Sequence, residues 1–260
     1  MFRSDLAHEI VGALKSNVDG VAFDVLRGRF GLIKINTQIK TSEASHRIGK
    51  PIGNYCAIEC DKMQLGSVEI DQYITKVLSV ALQEFLAEFK KGIVLVVGLG
   101  NNSITADSLG PKVCNKLEAS QMVKIFTPSV MGKTGIKTYD TIKAICEKIK
   151  PSVVIAIDSL CSRDVEKIGC TIQLNNTGIT PGSGVNSAQD ALNQKSLGVP
   201  VIALGVPMVV YAPSICDGCD KAIERIAKKF SSLYVVSKEV DIVIENSTNI
   251  ISAALNLILS

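Results

Sequence analysis

Three stretches near the start of the chain, Val21 to Leu26, Phe30 to Ile35 and Tyr55 to Cys60, alternate apolar and polar side chains with a period of two. That period predicts strands, and within the first 70 residues it predicts a strand-rich layer or sheet extension. The period then changes. From Asp71 to Lys91 the apolar residues Ile74, Val77, Leu78, Ala81, Leu82, Phe85, Leu86 and Phe89 fall on one helical face, and Gly92 ends the pattern. Ile93 to Val97 follows as an unbroken apolar run, as a strand covered on both faces requires. Further along, the pattern predicts helices near 108–119, 137–149, 218–231 and 246–259. Between them it predicts strands near 123–127, 153–157, 169–174 and 200–204. Strands alternating with helices predict an α/β layered fold with a mostly parallel central sheet flanked by helices. With no internal repeat and no low-complexity linker, we expect one domain over 1–260, a strand-rich extension at 6–70 joined to an α/β core at 71–260.

Composition narrows the function classes. The net charge of +3 is small against 28 basic and 25 acidic residues, and the basic ones are dispersed, so no nucleic-acid footprint is present. The N-terminus carries Asp5 and no apolar run of signal length, and no stretch reaches about 18 uninterrupted apolar residues. The expectation is a soluble cytoplasmic protein without a membrane partner. Most of the eight cysteines, Cys56, Cys60, Cys114, Cys146 and Cys170 among them, occupy apolar positions and read as small buried hydrophobes in a reducing compartment. Cys216 and Cys219 have ligand spacing, but the second pair a structural zinc needs is missing, and a plain turn is the expected reading.

Chemistry gathers after the two most apolar strands. Each runs into a short polar segment bearing an acid, Asp107 after the first and Asp158 after the second. Beyond the carboxyl ends of parallel strands such acids can meet in one crevice, where paired carboxylates serve as acid and base. Asp107 precedes Ser108-Leu109-Gly110-Pro111, so a helix cap and a catalytic acid are both open for it. Asp158, at the sheet rim, is either a group with a raised pKa or a carboxylate bound by loop amides or Arg163. Gly98 and Gly100 suggest a dinucleotide turn, but Ser103 stands where the third glycine belongs and Asn101 prolongs the loop, so no cofactor is expected. Ser159, Ser183 and Cys161 are conceivable nucleophiles, yet neither His8 nor His46 lies near a strand end to serve as base. The loop from Asn176 through Gly182, Ser183 and Gly184 can cradle an anion through its amides or simply border the crevice.

At these residues the chain resembles the germination proteases of spore-forming bacteria. The matching stretches are 97–101, 104–111, 132–135, 150–158, 177–184 and 197–207, with weaker matches at 3–7, 49–55 and 235–239. The resemblance implies an endopeptidase of small acid-soluble spore proteins, an atypical aspartic peptidase independent of metal. Its implied fold is similar to that of hydrogenase-maturation peptidases. It places Asp107 and Asp158 on the family's two catalytic aspartates, and implies a tetrameric zymogen that processes itself in the cytoplasm of the forespore. The family cuts after an acid and before a hydrophobic residue, with alanine and a second acid downstream. Asp5, Leu6, Ala7 and Glu9 repeat that pattern, so self-cleavage is expected between Asp5 and Leu6, releasing a five-residue propeptide. The chain is shorter than the family pattern between 119 and 128 and after 216. Thr180, Tyr211 and Asn102 stand where the family usually has His, Asp and Trp, leaving a catalytically weak sporulation paralogue as the alternative reading.

Overall fold

In the computed structural model, residues 4–7, 9, 18–89, 91–182, 190–216, 223 and 228–260 are described. Nine strands form one mixed sheet: β1 (Val21–Arg27), β2 (Ile33–Ile39), β3 (Gly53–Glu59), β4 (Val94–Gly98), β5 (Val123–Phe126), β6 (Val153–Ser162), β7 (Thr171–Asn175), β8 (Val201–Tyr211) and β9 (Tyr234–Val236). Their spatial order is β1-β2-β3-β7-β8-β6-β4-β5, with β9 paired to β8. β5, β4, β6 and β8 are mutually parallel and form the central block. The three N-terminal strands are antiparallel and continue the same sheet through β7. The alternation in the first 70 residues therefore marks a sheet extension.

The helices of seven residues or more among the described residues are α1 (Ser42–Ile48), α2 (Val68–Leu86), α3 (Leu109–Asn115), α4 (Thr138–Ile149) and α5 (Val240–Leu259). Because successive strand residues point to opposite faces, the apolar runs of β4 and β6 feed two cores. Val96, Ile155 and Ile157 pack with Leu78, Leu109 and Ile251 under α2, α3 and α5. Leu95, Val97, Val154 and Ala156 pack with Ile142 and Cys146 of α4 on the other face. This produces three layers. α5, 20 residues long, is by length and composition apolar enough to cross a bilayer. Nine of its residues, including Ile244, Ile251 and Leu255, are instead buried.

Several boundaries differ from the pattern-based expectation. β2 starts at Ile33 and not at Phe30, because Phe30 (φ 59°) and Gly31 (φ 80°) turn the chain between paired Arg27 and Ile33. β6 runs on to Ser162, since the polar segment after Ile157 finds hydrogen-bond partners along an equally long β8. β1 is exposed on both faces, with Phe23 at 59% and Leu26 at 52%, because nothing among the described residues covers this edge. The helix expected over 218–231 falls largely outside the described residues.

Candidate active site

The crevice begins where β4 and β6 part company. Gly98 pairs with Ile157, and the Leu99 N–H still donates to the Ile157 carbonyl at 2.8 Å. Beyond this point the chain of β4 turns away while β6 continues. α3 then crosses on one face to β5, and α4 crosses back on the other to β6. This reversal is the position at which an open α/β sheet places its ligands.

Two glycines permit the close packing there. A Cβ on Gly98 would lie 2.4 Å from the Gly110 carbonyl oxygen, so the strand end rests directly on the first turn of α3. Gly100 has φ +110°, and a Cβ on it would meet the Asp107 carbonyl oxygen at 2.1 Å. The loop closes on itself through the Asn101 N–H, which donates to that same carbonyl at 2.8 Å. The Asn101 side chain accepts from the Ser103 N–H at 3.0 Å. Asp107 lies in the short 3-10 turn Thr105–Asp107, while Ser108 holds the N-cap position of α3 and neither makes a side-chain cap bond. The cap reading of Asp107 is thereby removed.

Asp158 is the first β6 residue past the end of β4 and is 6% exposed. Asp107 and Asp158 line one cleft of about 1090 Å³ together with Asp5, Gly100 and Gly182. Burial raises the Asp107 carboxyl to about 6, against a smaller lowering by the Asn101 N–H. Burial also drives Asp158 well above the usual carboxylate range, and the charges of Asp107 and Asp5 push it further. Its Oδ1 accepts from the Ser159 N–H at 2.9 Å, which only partly opposes the shift. The charges that raise it are those of two other carboxyl groups. Burial thus raises both carboxyls, and raises them in unequal surroundings, an arrangement in which two acids can divide the roles of base and acid.

The floor of the cleft is a row across three strands. Asp158 on β6 pairs with Gly205 on β8, and Gly205 pairs with Gln173 on β7. Two interstrand spacings separate the acid from the amide by roughly 10 Å, and the residue between them has no side chain. Across this floor lies the N-terminal segment. The Asp5 N–H donates to the Cys161 carbonyl at 2.8 Å, and the Cys161 N–H donates to Asp5 Oδ2 at 2.9 Å. The Ala7 N–H donates to Gln173 Oε1 at 2.8 Å. Leu6 and Ala7 are fully buried, and Glu9 accepts from the N–H of Arg163 at 3.0 Å and of Asp164 at 3.3 Å.

Of the other candidates, Ser159 lines the cleft but its hydroxyl has no hydrogen-bond partner among the described residues, and His46 is exposed on α1. Ser183, Gly184, His8 and Cys219 lie outside the described residues. Gly178, with φ +84°, brings the 176–182 loop against the Leu192 carbonyl, and Thr180 borders the cleft. Tyr211 packs its ring against Tyr234 at 5.6 Å, and Asn102 is exposed. Six of the seven described cysteines are buried and all seven are free thiols. Lys50 and Gln173 are cleft residues that pattern reading missed. The available signal was weak: a polar residue inside the apolar strand at 169–174, and a lysine in the 49–55 stretch.

A layered α/β protein with a carboxyl pair in the crevice at its switch point belongs among acid/base-capable α/β proteins. Comparison with known proteins narrows this. The sequence model of the family described as germination protease matches residues 7–232. A germination protease of Caldanaerobacter subterraneus subsp. tengcongensis is 33% identical over 99% of this chain and 94% of its own length. That alignment runs over 305 positions, so the relative carries segments with no counterpart in these 260 residues. The germination protease of Clostridium tetani is 35% identical over 92% of this chain and 81% of its own. That of a Geobacillus strain is 39% identical over 76% of this chain and 57% of its own. The chain belongs to the germination protease family and is a hydrolase of the peptidase class.

Proposed function

We propose that the protein is an endopeptidase of spore germination that hydrolyses small acid-soluble spore proteins, using Asp107 and Asp158 as an acid/base pair. The observation that carries this reading is the joint placement of the two carboxyls, both raised by burial, in a cleft spanned by a peptide segment with an acid before a hydrophobic residue. Asp107 as carboxylate takes a proton from water, and Asp158 as carboxylic acid supplies one to the leaving amine. Cleavage after an acid is favoured by the Cys161 N–H, which already holds the Asp5 carboxylate. A buried seat for Leu6 and the two amides that hold Glu9 extend the same preference downstream. On this reading Asp5–Leu6 is the bond the chain cuts in itself. Family membership supports work in the forespore cytoplasm. The exposed apolar side chains of β1 support a homo-oligomer.

The test is cleavage of an acidic spore protein carrying a Glu-Phe or Glu-Ile bond, with and without chelator. Wild type cuts in both conditions, and Asp107→Asn and Asp158→Asn each lose cleavage by several orders of magnitude, because paired groups act as a unit. Full cleavage by either variant ends the proposal. Loss of cleavage with chelator instead identifies a metal-dependent peptidase.

A further inference from the structure

The carbonyl oxygen of Asp5 receives two side-chain donors. Gln173 Nε2 donates to it at 2.8 Å and Lys50 Nζ at 3.1 Å. The other end of the same Gln173 amide accepts from the Ala7 N–H, so one side chain spans the Asp5–Leu6 bond and holds both of its flanks. Gln173 is 4% exposed on the sheet floor and Lys50 is partly buried beside the α1 C-terminus. An ammonium is costly to bury. Desolvation lowers Lys50 from the ordinary lysine value, and the negative charges of Asp5 and Glu9 oppose that shift without cancelling it. A lysine Nζ and a glutamine N–H aimed together at one backbone carbonyl match the charge that oxygen acquires during hydrolysis.

We propose that Lys50 and Gln173 are catalytic residues that form the oxyanion hole of this peptidase. The assignment rests on the aspartate-pair reading. Water, giving one proton to the Asp107 carboxylate, forms a bond to the Asp5 carbonyl carbon. The π pair of the C=O bond moves to oxygen, which becomes an alkoxide facing the Lys50 ammonium and the Gln173 N–H. Collapse of the alkoxide breaks the C–N bond, and the Leu6 nitrogen takes the proton held by Asp158. The products are a carboxyl group on Asp5 and a free amine on Leu6. A protein substrate that places its own acid in the Asp5 seat presents its carbonyl to the same two donors.

The experiment measures kcat and KM of the full-length chain on a peptide reproducing residues 1–14, for wild type, Lys50→Met, Lys50→Arg, Gln173→Glu and Asp107→Asn. Gln173→Glu keeps the shape and removes the donor; thermal melts verify that each variant folds. Removing an oxyanion donor lowers kcat by about 10²–10³. That loss is expected for Lys50→Met and Gln173→Glu with KM changed less than about tenfold, and Lys50→Arg recovers most of it. A kcat within threefold of wild type in both variants, or a loss carried by KM alone, makes the two side chains mere latches for the N-terminal segment and overturns the proposal. Asp107→Asn separates the two layers. Activity lost there but intact in Lys50→Met and Gln173→Glu removes the donors and keeps the aspartate pair. The reverse removes the pair and keeps the donors. A wild-type chain that cuts nothing overturns both.

Discussion

Asp107 and Asp158 differ in depth, and the roles proposed for them follow from that difference. Asp158 is enclosed by the sheet floor, whereas Asp107 stands on a loop turn with part of its surface open. Raising a carboxyl to about 6 has a thermodynamic sign that can be measured. Between the ordinary carboxylate value and about 6 the folded chain keeps a proton that the unfolded chain has lost. Folding stability from this group is therefore full below the ordinary value and is lost as pH rises toward 6. Asp107→Asn removes the cost, so its melting temperature should exceed wild type by a few degrees at pH 7, with the difference vanishing near pH 4, while activity is lost. Calorimetry at the two pH values decides this; a variant less stable than wild type at pH 7 would show that Asp107 is held by favourable contacts. The acid limb of kcat/KM should fall tenfold per pH unit below about 6.

At the scale of elements, the site depends on how tightly the β4 end, the Gly100 loop and α3 pack. Gly100→Ala would place a methyl against the Asp107 carbonyl at a left-handed φ, costing about 1–3 kcal/mol and moving Asp107 off its position. Leu78→Ala, at a fully buried α2 position on the far core, should cost about 2–5 kcal/mol with kcat unchanged. Denaturation and turnover measured on both variants separate packing from catalysis. The elements themselves were largely legible. The α2 stripe, the continuous runs of β4 and β6 and the alternation of β3 follow from apolar period alone. What the pattern could not convey depends on partners distant in the chain. Ser159 to Ser162 read as a loop because their strand identity comes from pairing with β8. Asp107 read equally as cap and acid because both uses precede a helix, and only the position of Ser108 separates them. β9 and α1 were too short for a periodic signal.

At the scale of the molecule, a continuous sheet joins the two banks of the cleft. Its parallel block builds the carboxyl crevice, and its antiparallel extension, through β7 and the chain after α1, brings Gln173 and Lys50 to the opposite bank. Those two left only a weak signal in the sequence because they are brought to one carbonyl by strand order and not by spacing. The peptide across the cleft ties the banks together, with Asp5 against Cys161 and Ala7 against Gln173. The most direct measurement of this account is the intact mass of the purified chain and of its Asp107→Asn form after incubation under the same conditions. Wild type is expected to lose residues 1–5, leaving Leu6 as the new N-terminus, and the variant to keep its full mass. Processing of the Asp107→Asn chain at that bond, or a wild-type chain that stays whole while it cuts an acidic spore protein, would contradict it.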